Sequence, residues 1–190
     1  MELAPNYPVR SPRLSLRPLS AADTTALLAY RSRPDVCRYV PVTPMDTAII
    51  AERLGTVWSR TSMDDEGQNL TLGVEVTATG ELVGDVVLMW HSREHRGGEI
   101  GYVINPEFGG HGYATEAAGG VLDWLKSLDA VKHIQATCDV GNIASARVLE
   151  KLGLSRKARL PQYAVRPNMP GAPRRDAFLY SWTRGLGEQR

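Results

Sequence analysis

At 190 residues and 43% hydrophobic composition, the chain has the size of one compact domain with a substantial core, so residues 1–190 are expected to fold as a single unit. Its net charge of +1, with Lys and Arg scattered rather than clustered, argues against a nucleic-acid or anionic-membrane partner and for a small-molecule or peptide substrate. No apolar run approaches the ~18 residues of a membrane helix, and the opening Met1-Glu-Leu-Ala-Pro-Asn6 lacks the regions of a signal peptide, so a cytoplasmic location is expected. Cys37 and Cys138 lie far apart and outside metal-ligand spacing, which predicts two small buried side chains rather than a disulfide or a zinc site.

Arg13 to Pro18 alternates as a short strand, and Ser20-Ala-Ala-Asp23 reads as the N-terminal box of a helix reaching about Ser32. A second helix is signalled by Thr43 as cap, Pro44 at its first position and Asp46 in its first turn, and its pattern runs to Arg60. A polar loop from Thr61 to Asn69 follows. The β-rich runs Leu70–Thr77 and Leu82–Trp90 flank Ala78-Thr-Gly-Glu81 as a hairpin, and a polar turn over His91–Gly98 leads to a strand at Glu99–Ile104. Tyr113–Leu128 has helical apolar spacing, His133–Asp139 reads as a strand, and a helix is framed by Asn142 as cap and Gly153 as terminator. Two closing strands are expected near 155–165 and 175–183, separated by a Pro/Gly-rich turn at Arg166–Pro173. The unit 99–104, 113–128, 133–139 should be a right-handed βαβ crossover with a ligand at the carboxyl end of its first strand.

The turn between that strand and helix, Asn105-Pro-Glu-Phe-Gly-Gly-His-Gly-Tyr-Ala-Thr-Glu-Ala117, predicts an anion cradle. Gly110 and Gly112 can take backbone angles closed to other residues, and the free N–H groups of the following first turn point where the helix dipole is positive. A phosphate or pyrophosphate fits there. A Walker-type loop is excluded because Tyr113 and Ala114 stand where Lys and Ser/Thr belong. A dinucleotide fingerprint is weak, because Thr115 replaces the third glycine and Val131-Lys132-His133 offers no acid for a ribose.

The spacing instead resembles the Q/R-x-x-G-x-G/A loop of the GCN5-related N-acetyltransferases (GNAT), with Glu107 in place of the usual Gln or Arg. The similarity extends over almost the entire chain and points to the RimJ/RimL-type branch. It is carried by Arg13–Leu19, Glu99–Pro106, Gly110–Ala117, Asn142–Gly153 and, near the end, Asp176 and Tyr180. The resemblance implies an α/β (α+β) fold: one mixed, mostly antiparallel twisted sheet of six to seven strands, flanked by about four helices and splayed at the acyl-CoA site. It implies acetyl-CoA as co-substrate, with its pyrophosphate on the backbone of Gly110, His111, Gly112, Tyr113, Ala114 and Thr115. Its pantetheine would lie along the backbone of Val103 and Ile104, which help polarise the thioester, and beside Asn142 and Ser145. No metal is implied. A homodimer is compatible with the family, and in some relatives a tyrosine protonates the thiolate, although the sequence does not locate one here.

Transfer to an amine needs a neutral nucleophile, whereas lysine titrates near ~10.4 and an α-amine near ~7.7–8.0. Glu99, which begins the strand that ends at the thioester, is the candidate base, directly or through water; the alternative is a strand-end carboxylate paired with Arg93 or Arg96. Ser145 is the candidate partner of the thiolate, its alternative being a first-turn hydroxyl bonded back toward Asn142. Tyr102 and Tyr113 read as packing around the loop, and the four tryptophans as core or cleft lining. His91 and His95 lack the order and the helical setting of a metal motif, and His111 should keep its ring at the surface. Asp176 and Tyr180 either reach the acceptor cleft or complete hydrogen bonds at the end of the sheet. The expected activity is acetyl transfer to a protein N-terminus or small amine. The rivals are succinyl or other acyl transfer, for which Arg31, Arg33 and Arg38 are candidate cations, and a CoA-binding module without turnover. The acceptor would be walled by the first two helices and residues 155–173.

Overall fold

A computed structural model of the chain describes residues 2–92, 94, 96–165, 167, 169 and 171–185. Arg93, His95, Arg166, Asn168 and Pro170, which entered the expectations above, lie outside the described residues. In chain order the elements are β1 (Val9–Arg10), β2 (Leu14–Pro18), α1 (Thr24–Arg31), α2 (Thr47–Gly55), β3 (Asn69–Val76), β4 (Leu82–Ser92) and β5 (Gly97–Ile104). They continue with α3 (Tyr113–Ser127), β6 (His133–Asp139), α4 (Ile143–Lys151), β7 (Ser155–Ala164) and β8 (Arg175–Thr183). All eight strands form one sheet in the order β1-β2-β3-β4-β5-β6-β8-β7. Every neighbouring pair is antiparallel except β5 and β6. The strand beyond the expected seven is β1, whose two residues are too short to carry an alternation signal.

One local signal was overridden by a longer-range bond. The Thr43-Pro44 pair does not start α2, because the Met45 N–H is drawn to the Arg31 carbonyl at 2.9 Å, while Asp46 accepts from the Ile49 N–H at 2.9 Å and becomes the cap. The helix also ends early, at Thr56, before a short 3-10 turn over Val57–Ser59. The polar turn after β4 is tighter than expected, since β4 runs to Ser92 and β5 starts at Gly97. The end of α4 follows its sequence signal: Gly153 adopts φ +77° and the Leu154 N–H returns to the Leu149 carbonyl at 3.1 Å.

Alternation divides the sheet into two working faces. Leu72, Val86, Leu88, Ile100 and Ile134 face α3 and α4, where Val121, Leu122, Leu125 and Leu149 close the main core. Each of these larger side chains contributes ~1.5–3 kcal/mol by leaving water. The opposite face carries Thr71, Asp85, Glu99 and Thr137 and is covered by α1 and α2, whose smaller cluster centres on Leu27, Tyr30, Ile50 and Trp58. Among the described residues no helix is long and apolar enough to cross a membrane.

Candidate active site

β5 and β6 pair only over Gly97↔His133, Gly98↔Ile134 and Glu99↔Gln135. Beyond Glu99 they diverge, because β5 stays with β4 to Ile104↔Gly84 while β6 stays with β8 to Asp139↔Ala177. The backbone edge of β5 facing that gap has no strand partner. Its parity is fixed at both ends: the Asn105 N–H donates to the Val83 carbonyl on the β4 side at 2.8 Å, and the Arg96 carbonyl accepts from the Lys132 N–H on the β6 side at 2.9 Å. Alternation therefore aims the backbone groups of Tyr102 and Ile104 into the gap and those of Val103 at β4. Consistently, a Cβ on Gly84 would strike the Val103 carbonyl oxygen.

The glycine turn stands past the end of β5. Gly110 and Gly112 sit at φ +83° and +81°, and α3 begins at Tyr113 with Gly112 as its cap. Among the described residues, the N–H groups from Gly110 to Thr115 have no hydrogen-bond partner, and the helical ladder opens with the Glu116 N–H on the Gly112 carbonyl at 3.1 Å. A row of unsatisfied donors at the positive end of a helix suits a multiply charged anion. Glu116 does not oppose it, since its carboxylate is turned onto the Ser11 hydroxyl at 2.8 Å, the Arg13 N–H at 2.7 Å and the Arg13 guanidinium. Partial burial would raise the pKa of Glu116, but those three donors outweigh it and hold it below the ordinary carboxylate value. The exposed His111 ring stacks on Tyr113, with centroids 5.5 Å apart, and takes no part in the cavity lining.

A cavity of about 830 Å³ lies at the gap and is lined by residues from both faces of the sheet. On the α3–α4 side it is lined by Ile100, Tyr102, Ile104, Ala114, Cys138, Asn142 and Ser145. Asn142 caps α4 by accepting from the Ser145 N–H at 3.2 Å, which fixes Ser145 in the first turn, and the Ser145 hydroxyl lies 2.9 Å from the Tyr102 hydroxyl. Burial pushes the Tyr102 pKa well above the ordinary tyrosine value, so this hydroxyl keeps its proton at neutral pH. On the other face Glu99 receives the Thr137 hydroxyl at 2.7 Å and the Gln135 amide at 3.1 Å, and its carboxylate lies 3.2 Å from His91 Nε2. Among the described residues the partners of Glu99 are His91 and two neutral donors on β6; Arg96 is not one of them, and Arg93 lies outside the described residues. Tyr102, which its sequence context marks as packing, instead bonds a serine 43 positions away, a contact with no local signal.

The same face carries an arrangement absent from the sequence reading. Arg31, from the end of α1, is buried on Asp85 of β4 through Nε and one terminal nitrogen, and the Tyr30 hydroxyl donates to Asp85 at 2.6 Å. Trp58 and Arg53 join Arg31 in the lining. Arg33 is paired with Asp35 at the surface and Arg38 lies over Tyr39, both outside the lining. Asp176 accepts from Arg159 and from the Gln162 N–H near the start of β8, whereas Tyr180, buried in the middle of that strand, donates to Glu150 of α4; neither lines the cavity. Cys37 and Cys138 are buried free thiols. Among the described residues no group of three His, Cys, Asp or Glu side chains could hold a metal.

Residues 13–155 match the acetyltransferase (GNAT) domain family. The chain belongs to that family. As a GNAT protein it is an acyltransferase by kind, and the family works with acetyl-CoA or CoA. It is 30% identical to the uncharacterized N-acetyltransferase YoaA of Bacillus subtilis over 83% of this chain and 88% of that one. Among solved structures, a GNAT-family acetyltransferase from Bacillus anthracis aligns with a TM-score of 0.76 at 26% identity, covering 92% of this chain and 96% of that one. A spermidine N-acetyltransferase from Vibrio cholerae in complex with CoA and spermine aligns with a TM-score of 0.75, over 91% and 96% of the two chains; at 19% identity it shares the fold. The relationship stands at the level of the family, and the RimJ/RimL-type branch remains a resemblance of motifs.

Proposed function

We propose that the protein transfers an acetyl group from acetyl-CoA directly to a primary amine, on a protein N-terminus or a small molecule. The carrying observation is the cavity at the β5–β6 gap, flanked by the free N–H groups of Gly110–Thr115 on one side and lined by Glu99 on the other. The N–H groups receive the pyrophosphate of the donor. The backbone of Tyr102 and Ile104 lies along the pantetheine, and an N–H on that edge polarises the thioester carbonyl as negative charge develops on its oxygen. Val103 contributes by lining the acceptor side with its side chain.

Glu99 takes the proton of the attacking amine, directly or through one water, while its three neighbours hold the carboxylate toward the gap. The new C–N bond forms as the C–S bond breaks. On the opposite face the Ser145 hydroxyl gives its proton to the departing thiolate as the Tyr102 hydroxyl passes its own to Ser145, and solvent reprotonates Tyr102. Base and acid thus stand on opposite sides of the sheet, and a thioester threaded through the gap would present its carbonyl to one and its sulfur to the other.

The test is thiol release by Glu99→Gln across pH, run beside calorimetric titration with acetyl-CoA. A loss of ~10²–10⁴-fold at neutral pH is expected with a lysine-like amine, shrinking toward the amine's own pKa of ~10.4, where the base becomes unnecessary. Unchanged turnover across pH removes Glu99 as base. Failure of the wild type to bind acetyl-CoA removes the whole reading.

A further inference from the structure

Not every charge along the cavity is paired. Asp85 is satisfied by Arg31 and Tyr30, and Asp139 by Arg175 at 3.2 Å and the Gly141 N–H at 2.8 Å. Glu99 is held by neutral donors and by His91, whose ring carries charge only when protonated. Arg53 lines the cavity with no carboxylate within ion-pair distance among the described residues. Pairing therefore leaves one negative group, Glu99, and one positive group, Arg53.

These two stand at different places on the face. Glu99 shares a rung with Met89 and Asn69, while Asp85, which anchors Arg31, shares one with Val103 and Gly73, four residues and ~13 Å along the strands. The Arg31 and Arg53 guanidinium carbons both lie over the Trp58 ring, at 5.8 Å and 5.6 Å from its centroid. Trp58 is itself 6% exposed and fixed in the α1–α2 cluster, so both guanidinium groups are positioned by a rigid plate. Arg31, 7% exposed, spends Nε and one terminal nitrogen on Asp85, and its other terminal nitrogen has no partner among the described residues. Buried donors left unmatched in a cavity wall are costly unless a ligand completes them. A cation near the carboxyl end of α2 is expected on dipole grounds alone, but that does not account for its guanidinium lying on a tryptophan of the cavity.

We propose that the amine acceptor carries a carboxylate, which Arg53 and the free edge of Arg31 hold beside Trp58 while the amine faces Glu99. The inference rests on the acetyltransferase reading and narrows it to acceptors long enough to span that separation, such as a peptide of about four extended residues with a free carboxyl terminus. A polyamine fits poorly, because its second ammonium would meet Arg53.

The experiment titrates the CoA-loaded protein by calorimetry with N-acetylated tetrapeptides that begin in leucine, methionine or phenylalanine, each with a free carboxyl terminus against its C-terminal carboxamide, and with N-acetylspermidine. At least one carboxylate should bind about tenfold or more tighter than its amide, as a charge-assisted contact gives. That preference should vanish in Arg53→Gln and return in part in Arg53→Lys, with CoA affinity unaltered in both. Equal affinity, preference for the amides or for N-acetylspermidine, or no binding by any pair overturns the proposal. An Arg53-dependent preference for succinyl-CoA over acetyl-CoA also overturns it, placing the anionic group on the donor. The CoA titration in the same samples separates the two readings: CoA bound without a charge preference defeats this proposal alone, whereas no CoA binding defeats the acetyltransferase reading beneath it.

Discussion

On the side of α3 and α4 the cavity runs along the open main-chain edge of β5 and the first turn of α4, and Ala114 links it to the free N–H row of Gly110–Thr115. On the side of α1 and α2 it is bounded by side chains, with Arg31, Arg53, Trp58, Asp85 and Glu99 drawn from separate elements. In the proposed reaction the two ends answer different needs, one as the donor end and one as the acceptor end. A pyrophosphate is the same in every donor molecule and can be met by backbone geometry, which any sequence with glycines at two positions supplies. An acceptor must be told from other amines, and only side chains differ enough to do so. The side-chain end also carries the costlier construction, because Asp85 and Arg31 are both nearly removed from water.

The largest effect should therefore fall on stability at the acceptor end. Asp85→Asn leaves Arg31 buried without its counter-charge and should cost ~3–5 kcal/mol in urea unfolding, whereas the double change Arg31→Met with Asp85→Leu should recover most of it. Arg31 points the same way: burial alone would lower its pKa, but the adjacent Asp85 and Tyr30 outweigh that and raise it. If Asp85→Asn unfolds at the wild-type urea concentration, the pair is not a stability element and the contrast between the two ends loses its energetic half.

At the donor end the corresponding change should spare the fold and strike binding. Gly112→Glu places a carboxylate among the N–H groups meant for phosphate and forces a side chain onto φ +81°. The expected weakening of acetyl-CoA is about 100-fold, ~2.7 kcal/mol, against ~1–2 kcal/mol of backbone strain in the unfolding curve. A Cβ at Gly112 meets only the Arg13 guanidinium, at 3.6 Å, so packing offers no other source of loss. Unaltered affinity would move the pyrophosphate away from this loop.

The same contrast decides what could be read from the sequence. The turn, the start of α3 and the Asn142–Gly153 frame of α4 are written in consecutive residues whose backbone demands are local, so the crossover and its cradle were legible. The start of α2 was misplaced by local evidence, because Met45 answers to Arg31 fourteen positions earlier rather than to its neighbours. The parity of β5, which turns Tyr102 and Ile104 rather than Val103 toward the gap, depends on bonds at Arg96 and Asn105 made with other strands. Nothing in the spacing of Arg31, Arg53, Trp58 and Asp85 brings them together. Only the fold does.

The smallest effect tests whether the two hydroxyls at the sulfur side act as one unit. Ser145→Ala removes the proposed proton donor but leaves the Tyr102 hydroxyl beside the vacated position, close enough for a water to bridge, so kcat should fall about tenfold, ~1.4 kcal/mol. Tyr102→Phe removes the group that fixes the serine rotamer and should cost a similar factor. The double variant should then lose little more than either single one, because residues that serve one proton transfer are not additive. Pre-steady-state thiol release reads this step apart from product release. If the two losses multiply, the hydroxyls act independently, and Tyr102 returns to the packing role that its sequence context suggested.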